Sequence, residues 1–264
     1  MSKIIVSALL VAFLVSCSKV PITNRRQMAL LPESTLMTMS LTNYRDFLMK
    51  HTSVVNNQSS MVKKVGNNMA KAVEVFMKQN KKYAKRIKNF KWEFNLVQDK
   101  AVNAWCMPGG KVVVYTGLLA ITKNETGLAV VMGHEIAHAI ARHGNERMSQ
   151  GLLTQMGGLA LNVAMSSQPE QTKKVFMGAY GATTTVGLML PFSRMHESEA
   201  DKMGLVFMAL AGYNPNAAVK FWERMAANKS GKTPEFLSTH PSDVTRIKKI
   251  KEFLPEAMKY YKGK

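Results

Sequence analysis

The segment His134-Glu135-Ile136-Ala137-His138 constrains this chain more than any other feature, because two imidazoles four residues apart work together only on a helix. At 3.6 residues per turn, positions i and i+4 differ by about 40°, so His134 and His138 project from one face. Glu135 is rotated by about 100° from His134. The flanking sequence asks for a helix over residues 124–143, capped by Asn124 and stopped by Gly144. Imidazole nitrogens at this spacing suit a zinc ion, and Glu135 is placed to reach water in the open position rather than the metal.

Zinc in such a site needs a third protein donor. On a continuous helix His143 lies about 900° beyond His134, on the opposite face. It is therefore expected as a helix-end residue, where positive charge is favourable. Gly144 stands where a three-histidine pattern would carry its last ligand. The acids of residues 193–201 are better candidates. Glu197 and Asp201 share a face at i, i+4, while Glu199 is about 200° away from Glu197. One acid can bind the metal while the other, one turn on, accepts the outer N–H of a ligand histidine. That reading makes Glu197 the third ligand and puts Asp201 behind it.

The rest of the sequence sets a mainly helical α+β fold. Its 264 residues suit one sizeable domain better than two. A 46% hydrophobic and 20% charged composition argues against disorder, and the 20 Met residues read as core filler. Helices are expected over residues 34–51, opened by a Ser cap, and over 59–80, 195–211, 215–227 and 242–253. Phe90, Trp92, Phe94 and Leu96 alternate as in a strand, and 103–107 and 111–116 flank the turn Pro108-Gly109-Gly110. A small antiparallel sheet beside the metal-binding helix follows. Residues 151–191, interrupted at Ser166-Ser167-Gln168-Pro169, read as a buried or lid-forming helical hairpin. The uncharged 175–190 is too short and too rich in Gly and Thr for a good membrane span.

Lys3, the apolar residues 4–15 and Leu14-Val15-Ser16-Cys17 resemble a lipoprotein signal with Cys17 as the lipidated residue. The expected organisation is a signal peptide at 1–16, lipidated Cys17 and a linker at 17–33, and one domain at 34–264. Ser18, rather than Asp, after the anchor favours the outer membrane, with the domain facing the periplasm. Cys106 is then the only other cysteine, so no internal disulfide forms, and it reads as a small buried hydrophobe. The net charge is +19, which favours anionic lipid surroundings. Lys78, Lys81, Lys82, Lys85, Arg86, Lys88 and Lys91 form a basic stretch read as a solvated loop. No nucleic-acid motif accompanies it, so nucleic acid is not an expected partner.

Residues 134–138, Glu197-Ser198-Glu199-Ala200-Asp201-Lys202-Met203-Gly204 and Ser238-Thr239-His240-Pro241 together resemble peptidase family M-forty-eight. Its periplasmic BepA- and LoiP-like branch is the nearest, beside the Oma-type, HtpX and CAAX prenyl proteases. Asn103-Ala104-Trp105-Cys106-Met107-Pro108-Gly109-Gly110 is similar to that branch as well. The resemblance implies a zincin-like gluzincin domain with zinc on His134, His138 and Glu197 and with Glu135 as catalytic acid/base. It implies that His240 approaches the zinc in the water's position and that Arg246 lies nearby; either is a candidate oxyanion donor. Asn103 and Ala104 are candidates for pairing with an extended substrate. The implied function is hydrolysis of unfolded or misassembled envelope proteins, with polypeptide substrates and envelope assembly machinery as partners. The alternatives are a latent chaperone-like protein and a zinc-stabilised binding lipoprotein. The transmembrane helices of the prenyl and heat-shock branches are not expected here, nor is the helical-repeat extension of the BepA type.

Overall fold

The computed structural model describes residues 17–227, 235–240 and 245–263, so the expected signal peptide and Pro241 lie outside the described residues. In chain order the elements are β1 (Cys17–Lys19), β2 (Arg26–Met28), α1 (Glu33–Lys50), α2 (Asn57–Lys78), α3 (Lys81–Ile87), β3 (Glu93–Val97), β4 (Ala104–Met107) and β5 (Lys111–Tyr115). Then come α4 (Thr116–Thr122), α5 (Glu125–Ala141), α6 (His143–Ala164), α7 (Glu170–Thr184), a π turn (Thr185–Met189), α8 (Leu190–Leu210), α9 (Ala217–Ala227), α10 (Glu235–Thr239) and α11 (Arg246–Met258). The architecture is α+β and mainly helical.

The centre is α5. Asn124 caps it by accepting from the Gly127 N–H, and all residues from 127 to 141 are buried. A helix apolar all round can only be a core helix. Its main partner is α8, and two glycines let the backbones touch. A Cβ on Gly133 would stand 2.9 Å from the Gly204 carbonyl oxygen, and one on Gly204 would stand 2.8 Å from the His134 nitrogen. This contact fixes the His134 turn against the helix that carries Glu197 and Asp201. The helix α2, opened by an Asn56–Ser59 capping box, covers another side of the core with Val62, Val65, Met69 and Val73.

The three-stranded sheet departs from the expected all-antiparallel arrangement. Its order is β3-β5-β4, with β4–β5 antiparallel and β3–β5 parallel. The chain reverses twice between β3 and β5, so β5 runs with β3 once it inserts between the other two. It takes the centre because all five of its residues are buried. The strand β4 is left at the edge.

Three further expectations need correction. The presumed linker folds: β1 pairs with β2 in the register Ser18↔Gln27, and buried Gln27 donates to the Ala141 carbonyl at 2.6 Å. So short a hairpin holds only by packing on the domain. The basic stretch is not a simple solvated loop. It contains α3, capped by Asn80, and buried Arg86 donates to the carbonyls of Ile140 and Lys19 at 3.0 and 2.6 Å. Finally, α1 opens at Pro32 without a side-chain cap, in place of the expected Ser cap.

The hairpin of α6 and α7 stands out from the body instead of being buried. Tyr180 ties its arms by donating to the Thr154 carbonyl at 2.8 Å. No residue of α7 is buried, and Leu159, Val163, Val175 and Phe176 are exposed. No helix among the described residues is long and apolar enough to cross a membrane.

Candidate metal centre

The spacing within α5 and the glycine contact with α8 bring three donor side chains together in the core. His134 Nε2 lies 3.1 Å from His138 Nε2. The Glu197 oxygens lie 3.2 Å from His134 Nε2 and 3.3 Å from His138 Nε2. A zinc with donors at about 2.0–2.1 Å has tetrahedral edges of about 3.3–3.4 Å. The triangle therefore has the size of one face of a zinc tetrahedron. His240, just beyond α10, stands over that face, its Nδ1 3.3 Å from His134 Nε2 and 3.1 Å from Glu197 Oε1. One donor atom from each of these four residues falls within 4.8 Å of the others.

The electrostatics describe a site short of positive charge. Burial pulls the His134 pKa down, yet its hydrogen bonds with Asp201 and Glu197 carry it up to about 9. Burial raises the Glu197 carboxyl, but His134, His138 and His240 hold it far below the usual carboxylate range. His138 is pushed well below its ordinary value by burial, against the pull of Glu197. Asp201 accepts from His134 Nδ1 at 2.9 Å, which leaves Nε2 turned to the same point as the carboxylate and the second imidazole. A cation there would take the place of the Nε2 proton, and the donor set fits zinc.

Glu135 is buried beside the triangle. Burial raises its pKa, opposed by His240 and His134. Its Oε1 accepts no hydrogen bond from the described residues, with His240 Nε2 3.4 Å away. A buried carboxylate with a raised pKa is suited to moving a proton.

Asp201 and Arg246 lie on the outer side of His134. The Arg246 guanidinium forks onto Asp201, with Nε 2.8 Å from Oδ2 and Nη2 2.7 Å from Oδ1. Its central carbon sits 3.4 Å from the centre of the Trp222 ring. These contacts engage Nε and Nη2 of Arg246 with Asp201, and its Nη1 stands 3.6 Å from Glu197 Oε2.

His143 and Glu199 lie where the sequence alone does not place them. The helix does not run through to His143: it ends at Ala141, Arg142 takes a left-handed conformation with φ 61°, and α6 begins at His143. Rotation along one continuous helix therefore does not place His143. Fully buried His143 sits with its Nδ1 2.8 Å from His138 Nδ1 and its Nε2 3.0 Å from Glu199 Oε2. Glu199 is buried as well, accepting from the Thr23 hydroxyl and from Arg25 Nε at 3.0 Å. Arg25 reaches Glu146 with both terminal nitrogens, at 2.8 and 2.7 Å. Glu146 in turn accepts from His196 Nε2 at 2.9 Å. Arg25 and His196 overcome burial to draw the Glu146 pKa down to about 2. A usable signal was present in the sequence: His143 and Glu146, and His196 and Glu199, are both His/Glu pairs at i, i+3.

Asn103 precedes the edge strand β4. Its amide donates to Glu235 at 2.9 Å, and the Phe236 N–H donates to the Val102 carbonyl at 3.0 Å. The segment ahead of β4 is thus tied to the short helix that precedes His240. An open cleft runs from Cys106, Met107 and Pro108 on the β4 side to His138 and Arg142. Burial and the Glu135 charge push the Cys106 thiol up, so it stays protonated and unreactive.

Comparison with known proteins agrees with this geometry. A family model described as Peptidase family M48 matches residues 56–254. The mitochondrial metalloendopeptidase OMA1 of Schizosaccharomyces pombe is 42% identical over 171 residues, which cover 64% of this chain and 48% of that protein. Its Saccharomyces cerevisiae counterpart is 30% identical over 252 residues, covering 92% of this chain and 70% of that protein. The beta-barrel assembly-enhancing protease of Escherichia coli is 30% identical over 162 residues, covering 59% of this chain and 33% of that protein. The chain thus spans about half the length of the first relative and about a third of the last.

Proposed function

The chain belongs to peptidase family M48, and on that premise we propose that it is a zinc-dependent endopeptidase acting on unfolded or misassembled polypeptides of a bacterial envelope. The observation that carries the reading is the donor triangle of His134, His138 and Glu197 with zinc-sized edges and the buried Glu135 carboxylate beside it. A bound zinc supplies the Lewis acidity that makes water a nucleophile near neutral pH. Glu135 takes the proton of the attacking water and delivers it to the departing amine. His240, whose Nε2 lies 3.4 Å from Glu135 Oε1, donates to the developing oxyanion.

The open edge of β4 borders the cleft that reaches His138, which suits an extended chain added as a further strand. Exposed apolar residues on the α6–α7 hairpin suit a client that has not buried its own core. Lipidation of Cys17 would tether the domain to the outer membrane, facing the periplasm, with envelope assembly machinery within reach. The name of the Escherichia coli relative supports that setting.

Replacing Glu135 by Gln tests the reading. Zinc should remain bound one to one, while cleavage of an unfolded protein falls by roughly 10²–10⁴-fold. An unchanged cleavage rate would refute the assignment. One observation favours a second reading, a latent enzyme, because His240 Nδ1 stands at the fourth corner of the donor set. Under that reading His240→Ala raises the cleavage rate; a fall in rate instead gives His240 to the transition state.

A further inference from the structure

The outer nitrogen of His138 is engaged by something unusual. His134 has a carboxylate at its Nδ1, but His138 has a second imidazole, that of His143, and the carboxylate comes only after it. That carboxylate, Glu199, is held from the far end of the chain. Thr23 donates to one of its oxygens, and Arg25 reaches the other with Nε and Nη2 at 3.0 and 2.7 Å. Both residues lie in the turn between β1 and β2.

We propose that Thr23 and Arg25 are positioning residues of the metal site, acting through Glu199 and His143 on His138. The proposal rests on reading His138 as a metal ligand through Nε2. The hydrogens then follow in order. With Nε2 turned to the metal, His138 carries its proton on Nδ1 and donates to His143 Nδ1 at 2.8 Å. His143 therefore accepts at Nδ1, carries its own proton on Nε2, and donates to Glu199 at 3.0 Å. A carboxylate in the outer position is what keeps the proton on Nε2. Were Glu199 to turn away, the buried His143 Nε2–H would lose its acceptor, and only the His138 N–H would still favour that tautomer. A proton on His143 Nδ1 would set two N–H groups against each other across 2.8 Å and displace the His138 ring. Outer partners of this kind orient metal-binding histidines, and losing one typically weakens metal binding.

A second observation points the same way. The turn that presents Thr23 is built from unfavourable backbone. Ile22 and Asn24, on either side, have φ values of 68° and 55°. A β-branched residue adopts that conformation only where its surroundings impose it, and such strain gathers at functional positions. Here the turn is closed by Val20 N–H to the Arg25 carbonyl at 2.8 Å and by Asn24 N–H to the Val20 carbonyl at 3.0 Å. Its outcome is to aim a hydroxyl and a guanidinium at Glu199.

The test is zinc affinity measured by competition with a chromophoric chelator on the full chain, together with the visible spectrum of the cobalt-loaded protein. Glu199→Gln and Arg25→Met should each weaken zinc roughly tenfold to a hundredfold and shift the cobalt bands. Arg25→Lys restores a charge without the fork and should fall between wild type and Arg25→Met. Thr23→Val removes one hydroxyl at constant shape, so it carries the test if Arg25→Met does not fold; a several-fold loss is expected. If wild type binds zinc and the folded variants match its affinity and cobalt spectrum, the proposal is overturned, even where their melting temperatures fall. A wild type that takes up no zinc overturns this proposal and the proposed function together.

Discussion

The two histidines proposed to hold the metal are backed in different ways, although both lines of support end in an arginine. Behind His134 stand Asp201 and Arg246, a carboxylate and a guanidinium in direct contact. Behind His138 the path is longer, through His143 and Glu199 to Arg25. The first arginine opens the last described helix, and the second lies in the N-terminal hairpin. The first pair is also the more exclusive. Arg246 forks onto Asp201 with Glu197 3.6 Å distant, whereas Arg25 divides its nitrogens between Glu146 and Glu199. The short support concentrates its charge on one partner, and the long one spreads it over several.

That difference predicts unequal damage. Asp201→Ala leaves the Arg246 guanidinium buried against Trp222 with its main partner gone. Breaking a buried ion pair in this way costs about 3–5 kcal/mol. Glu199→Ala leaves Arg25 still paired with Glu146, so its loss should be clearly smaller. Urea unfolding of the two variants, both metal-free, measures the gap. Equal losses would mean that the long support is as brittle as the short one, and the contrast would fall.

The carboxylate of the short support was legible in the sequence because its spacing lies within one helix. His134 and His138 are i, i+4 on α5, and Glu197 and Asp201 are i, i+4 on α8. His240 and Arg246 came from the resemblance of the Thr239-His240-Pro241 region, not from periodicity. The long support was not legible, for a local reason. Placing His143 by rotation assumes one unbroken helix, and the break falls on Arg142, a residue type that does not announce a left-handed turn. The expected stop, Gly144, is two residues late. The N-terminal hairpin was hidden for a different reason: its strands are three residues each, and contacts with Ala141 and Glu199 stabilise what their own sequence does not. Strand order had the same dependence on packing. Alternation identified β3, but only the full burial of β5 decided which strand took the centre.

The charge spread over the long support also gives it a pH signature. Glu146 has a folded pKa of about 2 against an ordinary 4.5. A depressed carboxyl contributes stability that is fully present above the unfolded value and is lost as pH falls from about 4.5 toward 2. The metal-free protein should therefore melt at progressively lower temperature across that window. Arg25→Met removes the strongest cause of the depression, so its curve should be flatter and start lower at neutral pH. Wild type and variant should draw together near pH 2. Parallel curves would show that Arg25 does not set the Glu146 pKa.

The smallest expected effect concerns the break that separates the two supports. Arg142 is the left-handed residue after α5, a place where glycine carries no Cβ penalty. Arg142→Gly should remove a strain of about 1 kcal/mol. It also removes the contact of Arg142 Nε with Glu33 at 3.1 Å, a partly exposed pair worth about 0–1 kcal/mol. The variant should thus unfold within about 1 kcal/mol of wild type and keep its zinc affinity, because the turn that brings His143 beside His138 is preserved. Arg142→Val loses the same ion pair but adds a β-branched side chain at positive φ, so it should be less stable by more than about 1 kcal/mol. If the turn is what seats His143, zinc binding should weaken with Val and not with Gly. A Gly variant less stable than the Val variant would show that the left-handed residue is not what holds the break.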